Sequence, residues 1–253
     1  SREPATFRCY EKLQKEHKNL KVITWQGTGF NYSALNNFGA KEATGEYLLL
    51  LNNDTEVITP RWLEEMVMYA QQERVGCVGV KLLYPDNTIQ HAGIGFGFLT
   101  LAAHMHKNFP VGHPGYMGRL VYAQDVYAVT AACLMVRKSV YEQVNGLDES
   151  FAVAFNDVDF CLRVRDKGYR IVWTPYAQLT HYESKSRGGD EKDPVKARRF
   201  AAEQQRLYAV HGKANILHDP YYNPNLTMDR EDFSEGNDLR GLKEGRITVQ
   251  WRK

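Results

Sequence analysis

The sequence predicts an α/β domain in which a mostly parallel sheet is flanked by helices. Two observations predict it. The first eighty or so residues alternate helix-like and strand-like patterns, and such alternation implies crossover units joining parallel strands. The run Tyr47–Leu51 is wholly nonpolar or aromatic and lies between Gly45 and Asn52, the pattern of a short strand buried on both faces.

The elements follow in order. Pro4 suits a helix's first turn, and Phe7, Tyr10 and Leu13 recur at intervals of three. Residues 20–24 are a short strand candidate. Asn31 reads as the cap of a helix over 33–43, which Gly45 ends. The strand at 47–51 stops at Asn52-Asn53-Asp54. Pro60 opens a helix with Trp62, Leu63 and Met66 on one side, and 75–80 is a further buried strand. Gly93 to Pro114, rich in glycine, histidine and aromatics, reads as a hairpin or loop region with solvated His91, His104, His106 and His113 around it. Residues 128–136 form a strand, and 138–144 a short helix closed by Asn145-Gly146. Residues 157–167 are helical up to Gly168, 169–173 form a strand stopped by Pro175, and 195–210 are helical. The tail beyond Gly212 is polar. It carries Tyr221-Tyr222-Asn223-Pro224-Asn225 and an alternating stretch at 247–251 suited to an edge strand. The expected division is a main domain over 1–211 and a C-terminal extension over 212–253 that packs on it or trails from it.

Bulk properties narrow the classes. At 253 residues, 43% hydrophobic and 25% charged, the chain has the composition of a globular protein with a sizeable core. A formal net charge of +2 argues against a nucleic-acid binder that relies on a strong basic field. No run approaches the ~20 apolar residues of a membrane span. Cys9, Cys77, Cys133 and Cys161 form no C-x-x-C pair, and three of them sit in apolar stretches. Buried free thiols in a reducing compartment are therefore expected. The chain opens at Ser1 without an initiator methionine or a signal peptide, as a piece of a longer protein would.

Three clusters carry possible chemistry. Asn52-Asn53-Asp54 sits at the carboxyl end of a strand, where α/β sheets bind ligands. There Asn can bond ribose or phosphate, and Asp can ligate a hard divalent cation. The competing reading is a turn. Asn156-Asp157-Val158-Asp159 places two acids at i and i+2, pointing in different directions on a helix. One would face a cleft, and Asp159 would pair with Arg163; alternatively both complement the helix dipole. His181 follows the strand and its proline turn, with Ser184, Lys185, Ser186, Arg187, Gly188 and Gly189 beyond. His181 can bind a metal and the basic loop can grip phosphate, or the loop is plain solvated surface.

In this order and spacing the clusters resemble the inverting family 2 glycosyltransferases of the GT-A fold, over roughly residues 1–226. Within that family they are most like bacterial rhamnosyl- and galactofuranosyltransferase-like members. The matching stretches are FNYSALNNFGA at 30–40, GEYLLLLNND at 45–54, TAACLMVR at 130–137, GLDE at 146–149, FNDVDFCLR at 155–163, and His181 with Glu183-Ser184.

The resemblance implies roles. Asp54 matches the last, metal-binding position of the family's D-x-D motif, and Asn52 replaces its first acid. His181 matches a histidine that completes the metal site in some members, and the ion implied is Mn2+ or Mg2+. Asp157 matches the general base, with Asn156 in place of the preceding Glu. Asn31, Asn37, Asn52 and Asn53 fall among the nucleotide contacts. Thr130, Ala131, Asn156, Ser184 and Arg187 fall around the donor and acceptor pocket. Leu35-Asn36 departs from the family's small-Arg pair.

The implied partners are a UDP- or dTDP-sugar donor and a glycan or lipid-linked acceptor. The implied setting is the cytoplasm or the inner face of the membrane. The family's first strand, with its acidic nucleotide contact, is expected upstream of Ser1. A non-catalytic nucleotide- or glycan-binding module derived from the family is the alternative. A metal-dependent phosphohydrolase would need more carboxylates than the sequence offers.

Overall fold

The computed structural model describes residues 3–98, 101–183 and 193–234. Its strands are β1 (Tyr47–Leu51), β2 (Thr55–Val57), β3 (Val75–Leu83), β4 (Ile89–His91), β5 (Ile94–Phe98), β6 (Leu101–His104), β7 (Gln124–Val126), β8 (Cys133–Arg137) and β9 (Arg170–His181). Its α-helices are α1 (Pro4–Glu16), α2 (Tyr32–Glu42), α3 (Trp62–Ala70), α4 (Lys138–Gln143), α5 (Asn156–Asp166), α6 (Pro194–His211) and α7 (Lys213–Ile216).

The central sheet has seven strands. Its main path runs β1-β8-β3-β9-β2, with β4 beside β3 and β7 beside β9, and β5 and β6 form a separate hairpin. The expected α/β architecture is present, but the sheet is mixed rather than mostly parallel. β3 and β9 pair in parallel. β8 pairs antiparallel with both β1 and β3. The crossover logic still holds, because β1 and β3 run the same way. It could not foresee that β8, arriving from later in the chain, inserts between them.

Every residue of β3 is buried, as a central strand covered on both faces requires. On one face, Met66 and Ala70 of α3 pack against Val78, Val80, Val172 and Leu179. On the other, α4, α5 and the C-terminal segment pack against Leu48, Leu50, Cys77, Leu134 and Val136. Two glycines bring that second layer close. A Cβ at Gly76 would meet Val164 Cγ1 at 2.3 Å, and one at Gly79 would meet Val129 Cβ at 2.5 Å. Any side chain there would push α5, or the segment before β8, off the sheet.

Several expectations are corrected. Residues 20–24 form no strand, and Leu20 and Val22 are exposed. A lone extended segment has no ladder to close, and none of the described residues pairs with it. β1 is not buried on both faces: Leu48 and Leu50 are buried while Leu51 is exposed, and among the described residues β1 pairs only with β8. The strand expected over 128–136 begins only at Cys133, with a turn at 131–132 before it.

β9 does not stop at Pro175. Its register against β3 jumps from Val80↔Thr174 to Lys81↔Gln178, so Pro175 falls in a bulge where no ladder donor is missed. That bulge lets the strand run on to His181.

His91 and His106 are buried rather than solvated. The described part of the C-terminal tail packs on the core through Ile216, Tyr222 and Phe233. The Tyr221–Asn225 motif gains a physical role there. The Tyr222 ring meets Phe98 and Phe233, and its hydroxyl donates to Thr227 O at 2.7 Å.

Candidate active site

The carboxyl end of β1 and the far end of β9 meet. The Thr55↔His181 pairing of β2 with β9 sets the register, and Tyr182 N donates to Asp54 O at 2.9 Å. This ladder puts His181 Nε2 3.2 Å from Asp54 Oδ1 and 3.2 Å from Asn52 Nδ2. His181 is 7% exposed, whereas the Asp54 side chain is 34% exposed. The pair therefore has a held imidazole on one side and an open carboxylate on the other. Asn53 is exposed.

Gln90 was not singled out in the sequence. Its Oε1 lies 2.7 Å from His181 Nδ1. Its only local signal is an amide beside His91 in the three-residue segment Ile89–His91 that forms β4.

The second carboxylate reaches the same region through the turn before β8. Asn52 N donates to Ala132 O at 2.9 Å, and Ala131 N donates to Asp157 Oδ2 at 3.2 Å. Asp157 Oδ1 accepts from Val158 N at 2.8 Å. Burial pushes the Asp157 carboxyl above the ordinary range, against the lowering effect of donors from Ala131, Thr130 and Val158. Tyr32 lies alongside, its hydroxyl donating to Ala131 O at 2.8 Å. Burial raises the Tyr32 phenol, and the Asp157 charge raises it further.

Phe155, just before the helix, sits at φ 59° in the left-handed region, where a side chain this bulky is unusual. Its neighbours are tied down from α6: Glu203 accepts from Val153 N and Ala154 N, each at 3.0 Å. Asp159 turns away from the site, as expected. It is 1% exposed and bonded to Arg163 Nη2 at 2.6 Å and to His211 Nε2 at 2.8 Å.

The remaining predicted residues divide. Thr130 N lies 3.4 Å from His91 Nε2, and His91 Nδ1 is 2.9 Å from His104 Nδ1. Burial holds His91 well below the ordinary imidazole range and brings His104 down to about 4, so both rings are neutral near pH 7. Asn31 caps α2 by accepting from Ala34 N and donates to Glu149 O. Asn37 is fully engaged: it donates to Leu147 O and Glu149 Oε1 and accepts from Tyr141 OH and Leu147 N. Both amides fasten α2 to the 147–149 turn, and the Asn37 amide has no donor or acceptor left over for a nucleotide. Asn156 is buried and donates to Val153 O at 2.8 Å. Ser184 and Arg187 lie outside the described residues.

A divalent transition ion that accepts mixed oxygen and nitrogen donors fits the Asp54–His181 pair, which offers one carboxylate oxygen and one imidazole nitrogen. Among the described residues no group of three or more His, Cys, Asp or Glu side chains gathers as a metal site.

Residues 2–201 match the model of the family described as glycosyltransferase-like family 2. The chain belongs to that family. It is 46% identical over 235 residues to the "Uncharacterized protein y4gI" of Sinorhizobium fredii, covering 91% of this chain and 25% of that one. It is 40% identical over 234 residues to the "O-antigen biosynthesis protein RfbC" of Myxococcus xanthus, covering 92% of this chain and 18% of that one. The chain thus spans a quarter or less of the length of these two relatives.

Among solved structures, GalNAc-T7 with UDP, GalNAc and Mn2+ superposes with a TM-score of 0.64 at 14% identity, over 83% of this chain and 41% of that one. At that identity the likeness shows the fold, which is GT-A. No described helix is long and apolar enough to cross a membrane.

Proposed function

We propose that this chain transfers a sugar from a UDP- or dTDP-sugar to a hydroxyl of a glycan or lipid-linked acceptor, with inversion at the anomeric carbon. The observation that carries the reading is the meeting of the Asp54–His181 pair and Asp157 across the 130–132 turn.

In this reading Asp157 accepts the acceptor's hydroxyl proton while that oxygen bonds to the anomeric carbon. The bond from that carbon to the diphosphate breaks on the opposite face, and the nucleoside diphosphate leaves with the electron pair. Attack opposite the leaving group is what inverts the centre, as in inverting glycosidases. Asp54 and His181 would hold a divalent ion, Mn2+ or Mg2+, whose charge neutralises the leaving diphosphate.

In this reading Asn52 and Asn53 contact the nucleotide, and Thr130 and Ala131 belong to the donor and acceptor pocket. Ser184 and Arg187 remain assigned to the phosphates on sequence grounds alone. The RfbC name of one relative agrees with a cell-envelope polysaccharide as product. Buried free Cys77, Cys133 and Cys161 agree with a reducing, cytoplasmic setting.

The test is turnover of a nucleotide-sugar panel by the full-length protein with and without Mn2+. Asp54→Ala is expected to abolish metal-dependent donor binding. If no donor turned over and nucleotide bound without regard to metal, the transferase reading would fail and the binding-module alternative would stand.

A further inference from the structure

β4 packs into the sheet with all three of its residues buried, and its middle residue is the amide Gln90. A buried amide is stable only if its donors and acceptor are matched. Gln90 Nε2 points at two acceptors, His181 O at 3.2 Å and Glu183 Oε2 at 3.3 Å. A backbone carbonyl can only accept, so the contact with His181 O fixes the amide's orientation, and Oε1 is the end facing His181 Nδ1 at 2.7 Å. An oxygen there requires a proton on Nδ1. The lone pair of the neutral ring then lies on Nε2, the atom 3.2 Å from Asp54 Oδ1. In this tautomer Nε2 can accept from the Asn52 amide, whose Nδ2 lies 3.2 Å away.

We infer that Gln90 is a positioning residue that sets the tautomer and ring orientation of His181 and so keeps its Nε2 lone pair turned toward Asp54. The inference rests on the proposed role of Asp54 and His181 as metal ligands for its functional meaning, but not for its geometry. Metal-bound histidines generally have the other ring nitrogen held by such a partner. The same strand braces the other half of the site, because His91, the next residue, lies 3.4 Å from the backbone N of Thr130. A register slip in β4 would move both supports together.

The test uses the full-length protein, Mn2+ as the probe, alone and with UDP, and free Mn2+ followed by electron paramagnetic resonance. Gln90→Leu is expected to weaken Mn2+ binding by roughly 10- to 100-fold, the usual cost of losing such a support. In parallel, 15N NMR of the His181 ring is expected to show the Nδ1–H form in the unaltered protein and loss of that preference in Gln90→Leu.

The double variant Gln90→Glu with Glu183→Gln restores an acceptor opposite Nδ1 without two facing carboxylates. It should recover both signals and covers the case in which Gln90→Leu fails to fold. If Gln90→Leu, or the similarly shaped Gln90→Met where the leucine variant does not fold, kept wild-type affinity and the same ring tautomer, the inference would be overturned. Should the unaltered protein bind no Mn2+ under any condition, the metal reading fails, and the NMR comparison alone still decides whether Gln90 sets the ring.

Discussion

Asp54 and Asp157 are both carboxylates at the ends of regular elements, yet the fold treats them differently. Asp54 sits in the turn between β1 and β2, keeps a third of its side chain exposed and has a histidine as its neighbour. Asp157 opens a helix, is enclosed by backbone donors and has its carboxyl pushed up by burial. The first environment suits a group that must admit a ligand. The second suits a base whose proton affinity is tuned and whose position is fixed in advance. The proposed division of labour between leaving-group support and proton acceptance follows from that contrast.

The sharpest way to break the contrast is Asp157→Asn. Turnover is expected to fall by ~10²- to 10⁴-fold with donor affinity unchanged, because a general base typically contributes that much. Steady-state kinetics beside donor titration would read both, and full turnover in the variant would reduce Asp157 to a structural helix start.

Asp159 tests the claim that its own acid is architectural. Asp159→Ala leaves Arg163 and His211 without their buried partner and should cost about 3 kcal/mol of stability, the lower end for breaking a buried pair. Chemical denaturation would measure it, and a loss below about 0.5 kcal/mol would put Asp159 in the class of ordinary surface changes.

Asn52→Asp adds a carboxylate beside the open Asp54 and removes the amide that donates to His181. Mn2+ affinity should rise by about tenfold, since added ligand charge tightens such sites. Unchanged Mn2+ affinity by calorimetry would mean that residue 52 does not face the ion.

The smallest effect is a shift in pH dependence. Turnover needs ionised Asp157, so activity should fall on the acid side at a pH above the ordinary aspartate value of ~3.9. The stability sign is the reverse of the usual aspartate. A raised folded-state value favours the protonated native state, so this contribution is present below the unfolded value and is lost as pH rises through the folded one. Asp157→Asn should remove that part of the pH dependence of Tm. An acid limb at or below the ordinary value would contradict the enclosure of Asp157.

Much of this was legible in the sequence because it is local. Asn31 caps α2 through its own chain neighbour Ala34, Asn145 and Gly146 take positive φ after α4, and Asp159 meets Arg163 one helical turn on. The α/β class followed from the alternation of elements, and the order Asp54, Asp157, His181 followed from the motif order. Spacing along a helix or strand determines such contacts whatever the rest of the molecule does.

What only the tertiary structure decided is non-local. The sequence alone did not say that β8 would insert between β1 and β3, that β9 would carry its ladder past Pro175, or that Gln90 would face His181 from ninety-one residues away. Nor did it say that Asn37 would spend its amide on a distant turn. Strand neighbours and buried hydrogen-bond partners are chosen by which pairing satisfies the most backbone groups and fills the core at once. That choice belongs to the whole fold and leaves no trace in any short stretch of residues.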